Sequence, residues 1–200
     1  VTPSEIALFP LQSVLFPGAL LQLKVFEARY LDLVGRCLRE GAPFGVVCLR
    51  RGREVGRDSV RFEHGGALAG IDEVDAEQPG ILRVRCSGGR RFAIDGEPRR
   101  QGDGLWLADA SLLDDDEVLV PDAALLPTVK ALASAIAALR EQGSAPFATP
   151  YRFDDAGWVA NRWCEILPIP LAAKQRLMML TEPQLRLKLV DEYLRGKGVV

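Results

Sequence analysis

Histidine is almost missing from this chain, with His64 alone among 200 residues. A single imidazole excludes a histidine-rich metal centre and leaves one candidate for a catalytic triad. It sits in RFEHGG, beside two glycines and among charges, where a solvated turn residue is expected. Cysteine is scarce as well. Cys37, Cys48, Cys86 and Cys164 are widely spaced, each within an apolar stretch, and no C-x-x-C pair occurs. Zinc sites draw on four ligands, usually as close pairs, so no metal site is expected. Buried free thiols in a reducing cytoplasm are the corresponding expectation.

Also lacking are the marks of common catalytic machinery. The chain has no G-x-S-x-G elbow and no G-x-x-x-x-G-K-[ST] phosphate loop, although its tail contains Gly196-Lys197-Gly198. Its seven serines and five lysines show no local sign of a Ser-Lys dyad. The expectation is no catalytic residue, no cofactor and no enzyme activity. Charge of one sign is not in excess either, since 25 basic against 27 acidic residues leave −2. No global field therefore draws the chain to nucleic acid or an anionic membrane. No apolar run is read as reaching the roughly 18 residues of a membrane helix. The opening VTPSEIALF has no basic-then-apolar leader. A cytoplasmic protein without a membrane partner is expected.

What is present reads as an α+β chain, β-rich over 1–118 and helical over 119–200. Ile6–Phe9 is a short apolar strand, and Leu21, Leu23 and Val25 alternate with polar residues. Tyr30, Leu33, Val34, Cys37 and Leu38 form one helical stripe that Gly41 and Pro43 end. Phe44–Leu49 reads as a strand buried on both faces, and 50–59, RRGREVGRDS, as an exposed loop. Further strands are expected at 67–74, 81–86, 91–94 and from Leu105 to about Leu113. Gln78-Pro79-Gly80 and Ser87-Gly88-Gly89 supply turns between them.

The acidic run Asp114–Glu117 lacks the alternation and glycine of a calcium loop, so it reads as a solvated linker. Beyond it, Leu125, Val129, Leu132, Ile136 and Leu139 make a helical seam, and 144–150 reads as a second linker. Asp154 or Asp155 can cap a helix carrying Val159, Trp163 and Ile166. Another helix runs over 171–180. Thr181 and Gln184 have capping-box spacing before a last helix with Leu185, Leu189, Tyr193 and Leu194.

The segment Leu8–Tyr30, LFPLQSVLFPGALLQLKVFEARY, resembles the opening of the N-terminal substrate-recognition domain of the Lon protease family. Phe44-Gly45-Val46-Val47 is similar to a second family landmark. So is GGALAGIDEV over 65–74, where Gly66 replaces the usual threonine. Gly89, Arg91 and Phe92 resemble a third element, and Lys174-Gln175 falls within a fourth, helical one. The resemblance implies a PUA-like β pseudo-barrel in the N-terminal half followed by an α-helical bundle. It also implies a stand-alone module that binds protein or unfolded polypeptide segments for substrate recognition, as adaptor or scaffold.

Candidate binding residues are Glu27, Arg29, Tyr30, Arg90 and Arg91. Glu27 suits the positive end of a helix, with Arg29 and Tyr30 locking that helix to the sheet or lining a groove mouth. The client groove is expected where barrel meets bundle, along an edge strand of an incompletely closed barrel. The alternative is an RNA-binding PUA-like protein. It would use Arg50, Arg51, Arg53, Arg57, Arg83, Arg85, Arg90, Arg91, Arg99 and Arg100, although nucleic acid is not the expected partner.

Overall fold

The computed structural model describes residues 4–51 and 60–200. The expected loop at 50–59 falls almost wholly outside the described residues. Two compact units divide the chain, Val1–Asp114 and Asp115–Val200.

The first unit contains β1 (Ser4–Leu11), β2 (Leu20–Val25), α1 (Ala28–Glu40), β3 (Phe44–Arg51), β4 (Arg61–Gln78), β5 (Ile81–Arg100) and β6 (Trp106–Leu112). The strands run in the order β2-β5-β4-β3-β1-β6, and β5 also pairs with β6. That extra pairing closes β1 and β3–β6 into a ring, the PUA-like pseudo-barrel, where an incompletely closed one was expected. β1 and β3 are parallel, with Leu8 opposite Gly45, and the other pairings are antiparallel. β2 prolongs the sheet beyond the ring, pairing with the first part of β5 from Leu20↔Ser87 to Val25↔Leu82.

Continuous apolar runs form the strands buried on both faces, as in FGVVCL, where Phe44 to Leu49 are all buried. Leu8, Val47, Phe62, Phe92 and Ala108 pack together inside the ring. Each large side chain buried there contributes about 1.5–3 kcal/mol. α1 buries Tyr30, Leu33, Val34 and Cys37. It stops at Gly41, whose φ of 63° is left-handed and whose N–H donates to the Cys37 carbonyl.

Ser87-Gly88-Gly89 is not a turn, and the two strands expected around it are one, β5. At Gly88 a Cβ would lie 2.2 Å from the Phe16 carbonyl oxygen. The glycine is there for close backbone approach, and Gly88 N–H donates to Ala19 O while Gly88 O accepts from Gly18 N–H. His64 likewise lies on strand β4, exposed, and not in a turn.

The second unit holds a 3-10 turn (Ala123–Leu125), α2 (Leu126–Glu141), α3 (Ala156–Ile166), α4 (Leu171–Met179) and α5 (Pro183–Gly196). Asp155 caps α3, its carboxylate accepting from the Gly157 and Trp158 N–H groups. The expected capping box at Thr181 does not form. Glu182 is the α5 N-cap, and Gln184 instead donates to Val120 O at 2.6 Å. The buried face of α5 also differs from the expected stripe. Arg186, Leu187, Val190, Asp191 and Leu194 are inside, and Leu185 and Leu189 are exposed. Ala123–Glu141 is 19 residues with mean hydropathy 1.4, long and apolar enough to cross a membrane by length and composition. That was not anticipated; Thr128, Val129, Leu132 and Ile136 are nonetheless buried in this unit.

The acidic run is not simply a solvated linker. Asp116 forms a two-pronged ion pair with Arg186, at 2.5 Å and 3.1 Å, and Arg186 is 1% exposed. Its guanidinium also donates to Asn161 Oδ1, Leu177 O and Leu180 O. Further along, Ala156 N–H donates to Leu119 O at 2.8 Å, so 116–122 is tied to the helices.

Candidate functional site

In the first unit a groove of about 490 Å³ separates the C-terminal end of α1 from the β4–β5 pair. Cys37, Leu38, Ala42 and Pro43 form one wall, and Leu68, Gly70, Ile71 and the stretch Ser87–Arg90 form the other. The local sequence explains the shape. Gly41 turns the chain sharply out of α1, and Gly88 draws β5 against the Phe16 backbone. Register shifts in the β4–β5 ladder between Ala67 and Ala69 and between Ile71 and Glu73 bend the opposite wall. Leu38 is 53% exposed on this rim, and Leu68 and Ile71 are half-buried.

The groove can hold apolar side chains but carries no activated nucleophile. Burial raises the Cys37 thiol above its ordinary value, so it remains protonated. Cys86, buried in the adjacent sheet, is pushed up to about 12. Ser87 Oγ donates to Asp72 Oδ2 at 2.6 Å, and His64 is not among the lining residues. All four cysteines are free and buried. No group of three or more metal-ligating side chains occurs among the described residues.

The five sequence candidates fall into two places. Glu27 is the N-cap of α1 and pairs with Arg29 at 2.9 Å. Arg29 is buried, donates to Gly104 O at 3.0 Å, and lies 4.8 Å from the Tyr30 ring centre. Tyr30 stacks on Phe9 at 3.9 Å. These three are brought together, and their contacts fasten α1 to β1 and to the turn before β6. Arg90 and Arg91 lie on β5. Arg90 is exposed, lines the groove and donates to Leu113 O. Arg91 is 2% exposed and donates to Asp114 O, so its guanidinium holds the chain as it leaves β6. Among the described arginines of the RNA alternative, three face carboxylates. Arg50 faces Glu63, Arg85 faces Glu73, and Arg99 faces Glu5 and Asp109.

Leu38, Leu68, Gly70 and Ile71 were missed as site residues. Leu38 offered a signal, since it widened the α1 stripe to a position that core packing does not fill.

The family model for the ATP-dependent protease La (LON) substrate-binding domain matches residues 5–196. The chain belongs to that family. Over 201 residues, 98% of this LON substrate-binding domain, it is 26% identical to the Lon protease of Anaeromyxobacter dehalogenans (strain 2CP-C). It spans 23% of that relative's length. A crystal structure of a Lon N-terminal domain protein from Xanthomonas campestris is 29% identical. The alignment covers 95% of this chain and 98% of that one, with a TM-score of 0.78. The N-terminal domain of a Mycobacterium avium complex Lon protease shares the fold at TM-score 0.61, with 14% identity over 95% of this chain and 97% of that one.

The family motifs sit at structural joints. Phe44–Val47 opens β3, and 65–74 is the bent middle of β4. Lys174 donates to Glu165 O at 3.0 Å, and Gln175 is buried beside it in sequence. The matched domain does not include the ATPase and protease domains of a full Lon protease.

Proposed function

We propose that this LON substrate-binding domain is a non-catalytic recognition module that captures apolar stretches of unfolded or loosely folded polypeptide. It does so in the groove between α1 and the β4–β5 pair. It presents such segments to a protease or serves as an adaptor. The observation that carries this reading is the groove's lining: exposed Leu38 faces Leu68 and Ile71 across glycine and alanine backbone, with Arg90 the charged member. A cleft of this kind accepts side chains of varied shape without demanding a sequence. Membership of a substrate-binding family supports the same reading.

The closed ring supports side-chain capture over strand addition within the barrel, because its β5–β6 seam is already paired. Binding in the micromolar range or weaker is expected, about −8 kcal/mol or less favourable. The test is titration with a permanently unfolded model protein and a set of apolar peptides, followed by backbone amide shifts. Shifts should centre on Leu38, Leu68, Ile71 and Gly89. Amides that stay unperturbed there while a folded partner binds elsewhere would make the protein an adaptor without a client groove.

A further inference from the structure

A second cavity, of about 690 Å³, opens where β3 ends, β4 and β6 begin, and β5 approaches its end. Its size falls within the roughly 300–1,000 Å³ of small-molecule sites. Arg50, Arg61 and His64 stand on its walls with Glu97, and Phe62 and Trp106 are its aromatic members. Those two rings meet edge to face at 5.3 Å and 82°. The Arg100 guanidinium lies 5.8 Å from the centre of the Trp106 ring, which the register places opposite it.

Arg50 is 65% exposed and faces Glu63 at 3.3 Å, a contact that solvent weakens. The Arg61 and His64 side chains are exposed and have no ion pair or hydrogen bond among the described residues. The cavity therefore combines the half-buried Trp106 ring with exposed cationic side chains. An arginine fork matches phosphate oxygens in two-pronged fashion, and an aromatic surface accepts any planar base. Glu97 adds an acceptor suited to sugar hydroxyls or an exocyclic amine. A peptide fits less well, because the bordering backbones are already paired, Leu49 with Phe62 and Arg100 with Trp106.

We propose that this end of the barrel binds a nucleotide unit. The base lies against the half-buried Trp106 ring, and the phosphate meets Arg61, His64 and Arg50. The site lies on other strand ends than the apolar groove and stands independently of the polypeptide-binding reading. Its ligand is either a free mononucleotide or one residue of a single strand, which share this chemistry.

The test is amide and indole shift titration of the full chain with adenosine monophosphate, adenosine, inorganic phosphate and a short oligoadenylate. The Trp106 indole and the amides of Arg61 and His64 should move with adenosine monophosphate. Adenosine and phosphate should each bind at least about tenfold more weakly, since each lacks one half of the contact. Arg61→Ala with His64→Ala, both surface changes, should weaken binding about tenfold at unchanged melting temperature. Oligoadenylate that binds more tightly than the monomer and weakens steeply with salt assigns the site to a strand. Equal affinity assigns it to the free nucleotide. Phosphate alone binding as well as the nucleotide, an unaffected double variant, or no shift at low millimolar ligand would overturn the proposal.

Discussion

Asp116→Ala should be among the most damaging single substitutions in the helical unit. Its carboxylate supplies both oxygens that face the Arg186 guanidinium, which is 1% exposed. Truncation leaves a cation that cannot reach water, because Asn161 Oδ1 and the Leu177 and Leu180 carbonyls hold it in place. Those neutral acceptors solvate the guanidinium partly, but they do not neutralise it. Removing one partner of a buried pair costs about 3–5 kcal/mol. A change of that size is a large part of the stability of a small unit.

Urea unfolding followed by tryptophan emission reads the loss. Trp163 is buried in α3, its indole donating to Thr128 O at 3.1 Å, and Trp158 lies in the same helix. Glu117→Ala, at the next and exposed position, should shift the midpoint negligibly. Adding Arg186→Met to Asp116→Ala should recover much of the lost stability, because the stranded charge is then gone. If Asp116→Ala costs no more than Glu117→Ala, the Arg186 pair does not hold the unit together and the reasoning fails.

Two further outcomes follow from buried groups and close backbones. Burial pushes Glu165 up to about 7 from 4.5, against the opposing pull of Arg162 and Lys174. The folded state then holds a proton that the unfolded state has released between about pH 4.5 and 7, so stability should fall as pH rises through that window. At about 1.4 kcal/mol per unit the ceiling is about 3 kcal/mol. Glu165→Gln should flatten the slope, as seen by thermal melts across pH, and an unchanged slope would exclude Glu165 as its source. Gly66→Thr should destabilise the barrel by at least about 1–3 kcal/mol. A Cβ there would stand 2.0 Å from Val46 O and 2.9 Å from Phe92 Cζ. A melting temperature equal to or above that of the parent would show that β3 and β4 can separate freely at this point.

Much of the fold was legible because period and burial agree. The FGVVCL run became the buried β3, and the α1 stripe stopped at the glycine that the left-handed turn requires. The strands were misjudged where glycine served approach and not turning. Ser87–Gly89 looks like punctuation, but its purpose lies some 70 residues away at Phe16, a contact that no local pattern displays. In α5 an arginine and an aspartate occupy buried positions, so an apolar stripe was sought on the wrong face. Arg186 is buried because Asp116 is there to meet it, and that pairing is invisible until both are in place.

The candidate site was less legible. Glu27, Arg29 and Tyr30 were read as a helix lock or a groove mouth, and the contacts with Gly104 O and Phe9 make the lock. Arg91 is similarly committed to Asp114 O, and Arg90 alone of the five lines the groove. The groove itself consists of ordinary leucine, isoleucine and glycine. Such residues announce a site only when left exposed, as Leu38 is.

The most direct measurement is the affinity for an unfolded model protein with and without Leu38→Glu. Leu38 is 53% exposed, so the substitution should leave the melting temperature nearly unchanged. A carboxylate on the groove wall must be desolvated by any apolar side chain that enters. At least a tenfold loss of affinity is expected, about 1.4 kcal/mol, with the amide shifts at Leu68 and Ile71 abolished. Undiminished binding by this variant, with shifts still centred on Leu68 and Ile71 or displaced to another surface, would contradict the account.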